Sequence, residues 1–137
     1  MREFIIAKAK SLLRSKGFTV SSFVHCNSCF DIAAKGSGMT IVLKVFDNVD
    51  ALREEQATEL KKIVNLFNVV GLVVGRKTKA FSLQRGVVYE RYGLPTVSID
   101  SFKDILDEKM LSMKSFKGKK TVELDYKRMR TRRIELG

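Results

Sequence analysis

Asp31 and Lys44 carry charge inside two short apolar runs, Cys29-Phe30-Asp31-Ile32-Ala33-Ala34-Lys35 and Gly38-Met39-Thr40-Ile41-Val42-Leu43-Lys44-Val45-Phe46. A carboxylate and an ammonium in such company are costly to bury unless they are paired, hydrated or put to use. The two therefore mark either an ion pair that fixes the local fold or a reactive site. A second group with chemical potential lies just before them, in His25-Cys26-Asn27-Ser28-Cys29. Cys-x-x-Cys beside a histidine is half of a zinc site, but 2 cysteines and 1 histidine in the whole chain cannot supply the other half. A thioredoxin-type role needs the motif to open a helix after a strand, whereas a strand follows it here. Cys26 and Cys29 read as structural, with their role undetermined.

Elements must hold these residues in place. The two runs are rich in Ile and Val and joined by Gly36-Ser37-Gly38, which predicts a β-hairpin with neither face fully in water. Ahead of it, residues 2 to 16 put Ile5, Ile6, Ala9, Leu12 and Leu13 at helical spacing. Lys8, Lys10, Arg14 and Lys16 fall mostly opposite, and Gly17 ends the helix. Phe18 to His25 is β-branched and aromatic and predicts a first strand.

After the hairpin, Asp47-Asn48-Val49-Asp50 offers a turn and a cap for a helix from about Ala51 to Asn68. Its apolar stripe is Leu52, Leu60, Ile63, Val64 and Phe67, with Gln56 at the stripe's edge. Val69 to Val74 predicts a strand covered on both faces, and Arg76-Lys77-Thr78-Lys79 a cationic loop at its carboxyl end. Phe81 to Tyr92 is undecided, and Gly93-Leu94-Pro95 punctuates it. Thr96 to Ile99 is a last strand, and Asp100 or Ser101 caps a helix to about Lys109. The order is that of an α/β protein with a mixed central sheet flanked by helices.

At 137 residues, 45% hydrophobic and 30% charged, the chain has the size and composition of one globular domain. No apolar run is long enough to span a bilayer, and the start Met-Arg-Glu carries no signal-type segment, so the expected location is cytoplasmic with no membrane partner. The net charge of +11 points to an acidic polymer as partner. Residues 111–137 carry more than half of that excess. The composition divides the chain into an α/β domain over 1–110, a basic connector over 111–124 and a basic helix over 125–137.

At Asp31 and Lys44 the chain resembles the PD-(D/E)xK nuclease superfamily, whose signature is an Asp followed on the next strand by Glu-x-Lys. The resemblance implies a restriction-endonuclease-like fold with an αβββαβ core. In an active member the Asp and the Glu hold a divalent metal and the Lys positions or activates water. Here the Glu position is Val42. Since residues two apart on a strand point the same way, an isopropyl group stands where a metal ligand belongs.

Glu55-Gln56-Ala57-Thr58-Glu59-Leu60-Lys61-Lys62 is similar to the second helix of the archaeal Holliday-junction resolvases. Three phrases in order carry a closer resemblance, to archaeal helix-turn-helix transcriptional regulators: Ser28-Cys29-Phe30-Asp31-Ile32, Glu55-Gln56-Ala57, and Gly86-Val87-Val88-Tyr89-Glu90-Arg91-Tyr92-Gly93-Leu94-Pro95. Tyr126 to Gly137 resembles the start of the first helix of their helix-turn-helix. The chain is thus expected to be either a piece of a longer regulator or a short form of its amino-terminal domain.

Three readings follow. The first is a DNA-binding transcriptional regulator, or its nuclease-like domain, without catalysis, metal or cofactor. Asp31, Lys44 and Gln56 would then be vestiges of a catalytic site. Its phosphate contacts would come from Lys44, Arg76, Lys77, Lys79, Lys127, Arg128, Arg130, Arg132 and Arg133. The second is a metal-dependent DNA endonuclease of the resolvase type, which needs Glu3, Asp47, Asp50 or Gln56 to replace the missing ligand. The third is a dimerisation or effector-binding module, although no small-molecule substrate is evident.

Overall fold

The computed structural model describes residues 2–23, 30–36, 38–115 and 132–135. The chain opens with α1 (Arg2–Ser15), whose periodic Ile5, Ile6, Ala9 and Leu13 are all buried. Strands β1 (Thr19–Ser22), β2 (Ile32–Gly36) and β3 (Met39–Asn48) follow, then a single 3-10 turn (Val49–Ala51) and α2 (Glu54–Phe67). Strands β4 (Val70–Lys77), β5 (Val87–Arg91) and β6 (Leu94–Ser98), helix α3 (Ile99–Ser115) and strand β7 (Arg132–Glu135) complete the order.

Among the described residues the strands join one seven-stranded sheet in the order β1-β2-β3-β4-β6-β5-β7. β1, β2 and β3 run antiparallel, while β3, β4 and β6 are parallel. This is the restriction-endonuclease-like mixed α/β architecture, with a core on each face of the sheet. Because side chains alternate along a strand, β3 supplies both: Ile41, Leu43 and Val45 pack with α1 residues and with Phe102 and Leu106. Val42 packs on the other face with Ala57 and Leu60 of α2, Val73 and Tyr89.

β4 runs through the centre and is buried from Gly71 to Gly75. Gly75 allows the 3-10 turn to lie on the strand, since a methyl group there would collide with Val49 Cγ1.

Several elements differ from the sequence expectation. The helix expected from Ala51 starts at Glu54, because Leu52 is extended and buried and breaks the helical path. Asn48 accepts a hydrogen bond from Asp50 N (2.9 Å) to close the 3-10 turn, and Gln56 Oε1 accepts from Arg53 N (3.0 Å) to cap α2. Phe67, placed in the apolar stripe, is 65% exposed. It sits in the final turn, past Val64, which packs over Gly71, and Asn68 then ends the helix in the left-handed region.

Arg76 and Lys77 are strand residues and not loop, since Lys77 keeps register with Asn48. The undecided stretch supplies β5, joined to β6 by Tyr92 and Gly93, both at positive φ, as a tight two-residue hairpin demands. Pro95 is tolerated in β6 because pairing with β4 starts one residue later, at Thr96. The last helix continues past Lys109 to Ser115. The basic helix expected over 125–137 is contradicted at 132–135, where β7 pairs in parallel with β5, whose edge offers hydrogen bonds to an extended segment. The rest of that expected helix, most of the basic connector, and Cys26 and Cys29 lie outside the described residues.

Candidate functional site

Asp31 stands immediately before β2, with its main chain already in the ladder: its N–H donates to Leu43 O (2.7 Å) and its carbonyl accepts from Phe23 N (2.7 Å). The antiparallel register that pairs Ile32 with Leu43 sets Asp31 opposite Lys44. Its side chain is 4% exposed and fully engaged. Oδ1 accepts from the Arg2 guanidinium at 2.8 Å and lies 3.6 Å from Lys44 Nζ, while Oδ2 accepts from Val45 N at 2.8 Å. Arg2 Nε in turn donates to Val45 O at 3.0 Å. Lys44 is buried and its ammonium also sits over the Phe46 ring, 5.6 Å from the centroid.

The structure thus unites Asp31 and Lys44, as expected, and adds Arg2, which sequence reasoning missed. An exposed-looking arginine one residue into a helix has no local signal that it crosses to a strand. Lys44, placed among the phosphate contacts from sequence, is buried against Asp31, so its charge is already spent.

The donors around Asp31 do not fit a divalent cation, which needs several free, compact oxygen ligands. Both oxygens of Asp31 are occupied by donors, and Val42 lies in the apolar core under α2. Each suggested substitute ligand is committed elsewhere. Gln56 caps α2, and Asp47 grips Arg76 (2.6 and 3.2 Å). Asp50 accepts from Lys79 N (2.7 Å) and lies 3.6 Å from Arg91. Glu3 is held at the start of α1, where its backbone hydrogen bond, and then the charge of the amino terminus, keep its carboxyl below the usual range. Among the described residues no three His, Cys, Asp or Glu cluster as metal ligands.

Of the cations expected at the end of β4, Arg76 is held in an ion pair with Asp47. Arg76 is raised in pKa by its hydrogen bond to Asp47, whose own carboxyl is lowered by the same bond. Arg91 donates to Leu52 O and Asp50 O (3.4 and 3.3 Å) and so ties the segment before α2 to β5. Lys79 is exposed and Lys77 half-buried. On α1, Lys8 and Arg14 are exposed and Lys10 half-buried, and none of the three enters an ion pair among the described residues. Lys127, Arg128 and Arg130 lie outside the described residues, and Arg132 and Arg133 belong to β7.

These pairs set a pH dependence. Asp107 is lowered by its hydrogen bond to Lys16, with Lys103 adding to the effect, and Asp47 by Arg76. A carboxyl depressed in the folded state contributes stability that is complete above its ordinary value, here 3.8, and is lost as pH falls through the folded value. Stability is therefore expected to fall as pH drops below about 4, and urea midpoints across that range check it. Lys16→Met should flatten part of the fall.

No helix among the described residues is long and apolar enough to cross a membrane. In comparisons with known proteins, a family model described as a PD-(D/E)XK superfamily domain matches residues 2–111. A relative from Methanocaldococcus jannaschii, named "Putative HTH-type transcriptional regulatory protein", is 34% identical over 137 residues, covering 100% of this chain and 43% of its own length. Proteins of the same name from Archaeoglobus fulgidus (35% over 135 residues, 97% of this chain and 44% of its own) and Methanococcus maripaludis (31% over 136, 99% and 41%) are also similar. The chain spans less than half the length of these three relatives. With its signature Asp and Lys paired across β2 and β3 and its family match running from α1 into α3, this chain belongs to the PD-(D/E)XK superfamily.

Proposed function

We propose that this chain serves as a non-cleaving, DNA-associated domain of a transcriptional regulator. The observation that carries the reading is the state of Asp31: its carboxylate is consumed by Arg2, Lys44 and the Val45 N–H, and its partner ligand position is Val42. A superfamily frame with its ionic site closed in this way keeps a cationic surface that suits gripping a polyanion. The net charge of +11 and the names of the archaeal relatives support the same reading.

Contacts would be to phosphates, which supply affinity with little sequence information. Among the described side chains the candidates are Lys8, Lys10 and Arg14 on α1 and Lys77 and Lys79 at the end of β4, with Arg76 shared with Asp47. Lys127, Arg128, Arg130, Arg132 and Arg133 would extend the surface.

The test is fluorescence anisotropy of a labelled duplex in EDTA over a salt series, beside a plasmid-nicking assay with Mg²⁺ or Mn²⁺. The expected result is binding without divalent metal, with log K falling against log salt by about 0.9 per phosphate contacted, and intact plasmid. Salt-insensitive binding overturns the reading, and so does metal-dependent nicking abolished by Asp31→Ala.

One observation favours a second reading, a protein-contact module. Leu66 and Phe67 are 77% and 65% exposed at the end of α2. Dimerisation with no affinity for duplex would favour it over the first.

A further inference from the structure

The Arg2 guanidinium makes two bonds that belong together. One goes to the Asp31 carboxylate (2.8 Å) and the other to the Val45 main-chain carbonyl (3.0 Å), joining the entrance of β2 to β3. Carboxylate and carbonyl oxygens are the ligands that hard divalent cations also draw together. A planar guanidinium satisfies two such acceptors at once from fixed N–H directions, whereas the three donors of an ammonium rotate freely. Beside it, Lys44 Nζ lies 3.6 Å from the same Oδ1, and Val45 N occupies Oδ2 at 2.8 Å.

We infer that Arg2 stands in for a divalent cation at Asp31, so that the site is closed to metal by a built-in charge as well as by the missing ligand at Val42. A metal ion entering here would have to displace the guanidinium from a carboxylate side chain only 4% exposed, against the repulsion of a second cation, Lys44. Restoring the family's carboxylate at position 42 is then not enough to recover ion binding. Arg2 must also go. This deepens the non-cleaving reading and rests on the same Asp31 site, but its test contains no nucleic acid, so a failure of metal exclusion and a failure of duplex binding are told apart.

The test measures Mn²⁺ binding by electron paramagnetic resonance on the full chain, with Asp31→Asn as background and far-UV circular dichroism as the check on folding. The wild type and Val42→Glu are expected to stay at background. The double variant Arg2→Met/Val42→Glu is expected to bind at least about tenfold more tightly, which corresponds to about 1.4 kcal/mol. Equal gain by Val42→Glu alone overturns the inference, as does binding at Asp31 in the wild type or a folded double variant that gains nothing.

A second measurement needs no new carboxylate. If Arg2 acts through Asp31, the urea midpoint lost in Arg2→Met/Asp31→Asn is smaller than the sum of the two single losses, because either change alone already breaks the bond between them. Strictly additive losses overturn the inference even where the first double variant does not fold.

Discussion

Replacing Asp31 with alanine is expected to lower the unfolding free energy by about 3 kcal/mol, the lower end of the cost of breaking a buried pair from one side. The change strands Lys44, which is buried, and leaves the Val45 N–H without its acceptor, while Arg2 is able to turn toward water from its 36% exposed position. Asp31→Asn should cost less, because the amide oxygen still accepts from one of the two donors, Arg2 or Val45 N, and no cavity is opened, although its NH2 then faces the other. Urea unfolding with a fixed m-value reads both.

This pattern separates a structural Asp from a chemical one. A carboxylate kept for catalysis is held at some expense to stability, so its removal is commonly tolerated or stabilising. A neutral or stabilising Asp31→Ala would therefore argue against the closed site and for a poised one.

The second large effect concerns α1. Charge reversal at Lys8, Lys10 and Arg14 together is expected to reduce the salt slope of duplex binding by about 3 and to weaken binding at low salt more than at high salt. The reason is availability. These three cations have no carboxylate partner among the described residues, whereas Arg85 is gripped by Asp104 through two bonds of 2.9 and 2.7 Å. Lys10 and Arg14 are also like charges four apart on a helix, an arrangement that costs a few tenths of a kcal/mol unless a counterion or a phosphate lies between them. Arg85→Ala is the control and should leave the slope unchanged. Equal slopes for wild type and the triple reversal would move the interface away from α1.

Much of the fold is legible in the residues. Ile5, Ile6, Ala9 and Leu13 recur at helical spacing and are buried as expected, because burial of one face is what selects a helix there. The continuous apolar run after Asn68 is the central strand, buried from Gly71 to Gly75 because both of its faces are covered. The hairpin carrying Asp31 and Lys44 follows from β-branched composition and its turn.

Where the reading failed, a contact distant in sequence outweighed a local signal. Local polarity marks Arg76 and Lys77 as a loop, but pairing with β3 keeps them in the strand, and Asp47 across that pairing neutralises Arg76. A basic run suggests a helix at 132–135, yet the open edge of β5 holds an extended segment there. Phe67 fits the stripe by spacing, but the last turn of α2 lies beyond the residues that pack on β4.

The residues by themselves determined the α/β class, the hairpin that carries Asp31 and Lys44, and an apolar Val42 where the superfamily signature has a carboxylate, because side-chain alternation and hydrophobic period are local properties of the chain, while they left open whether the two charges pair or react. Only the tertiary structure decided that the site is shut. The group that shuts it, Arg2, is separated from Asp31 by 29 residues and reaches it only because α1 packs back across β3, a long-range contact that no local pattern encodes.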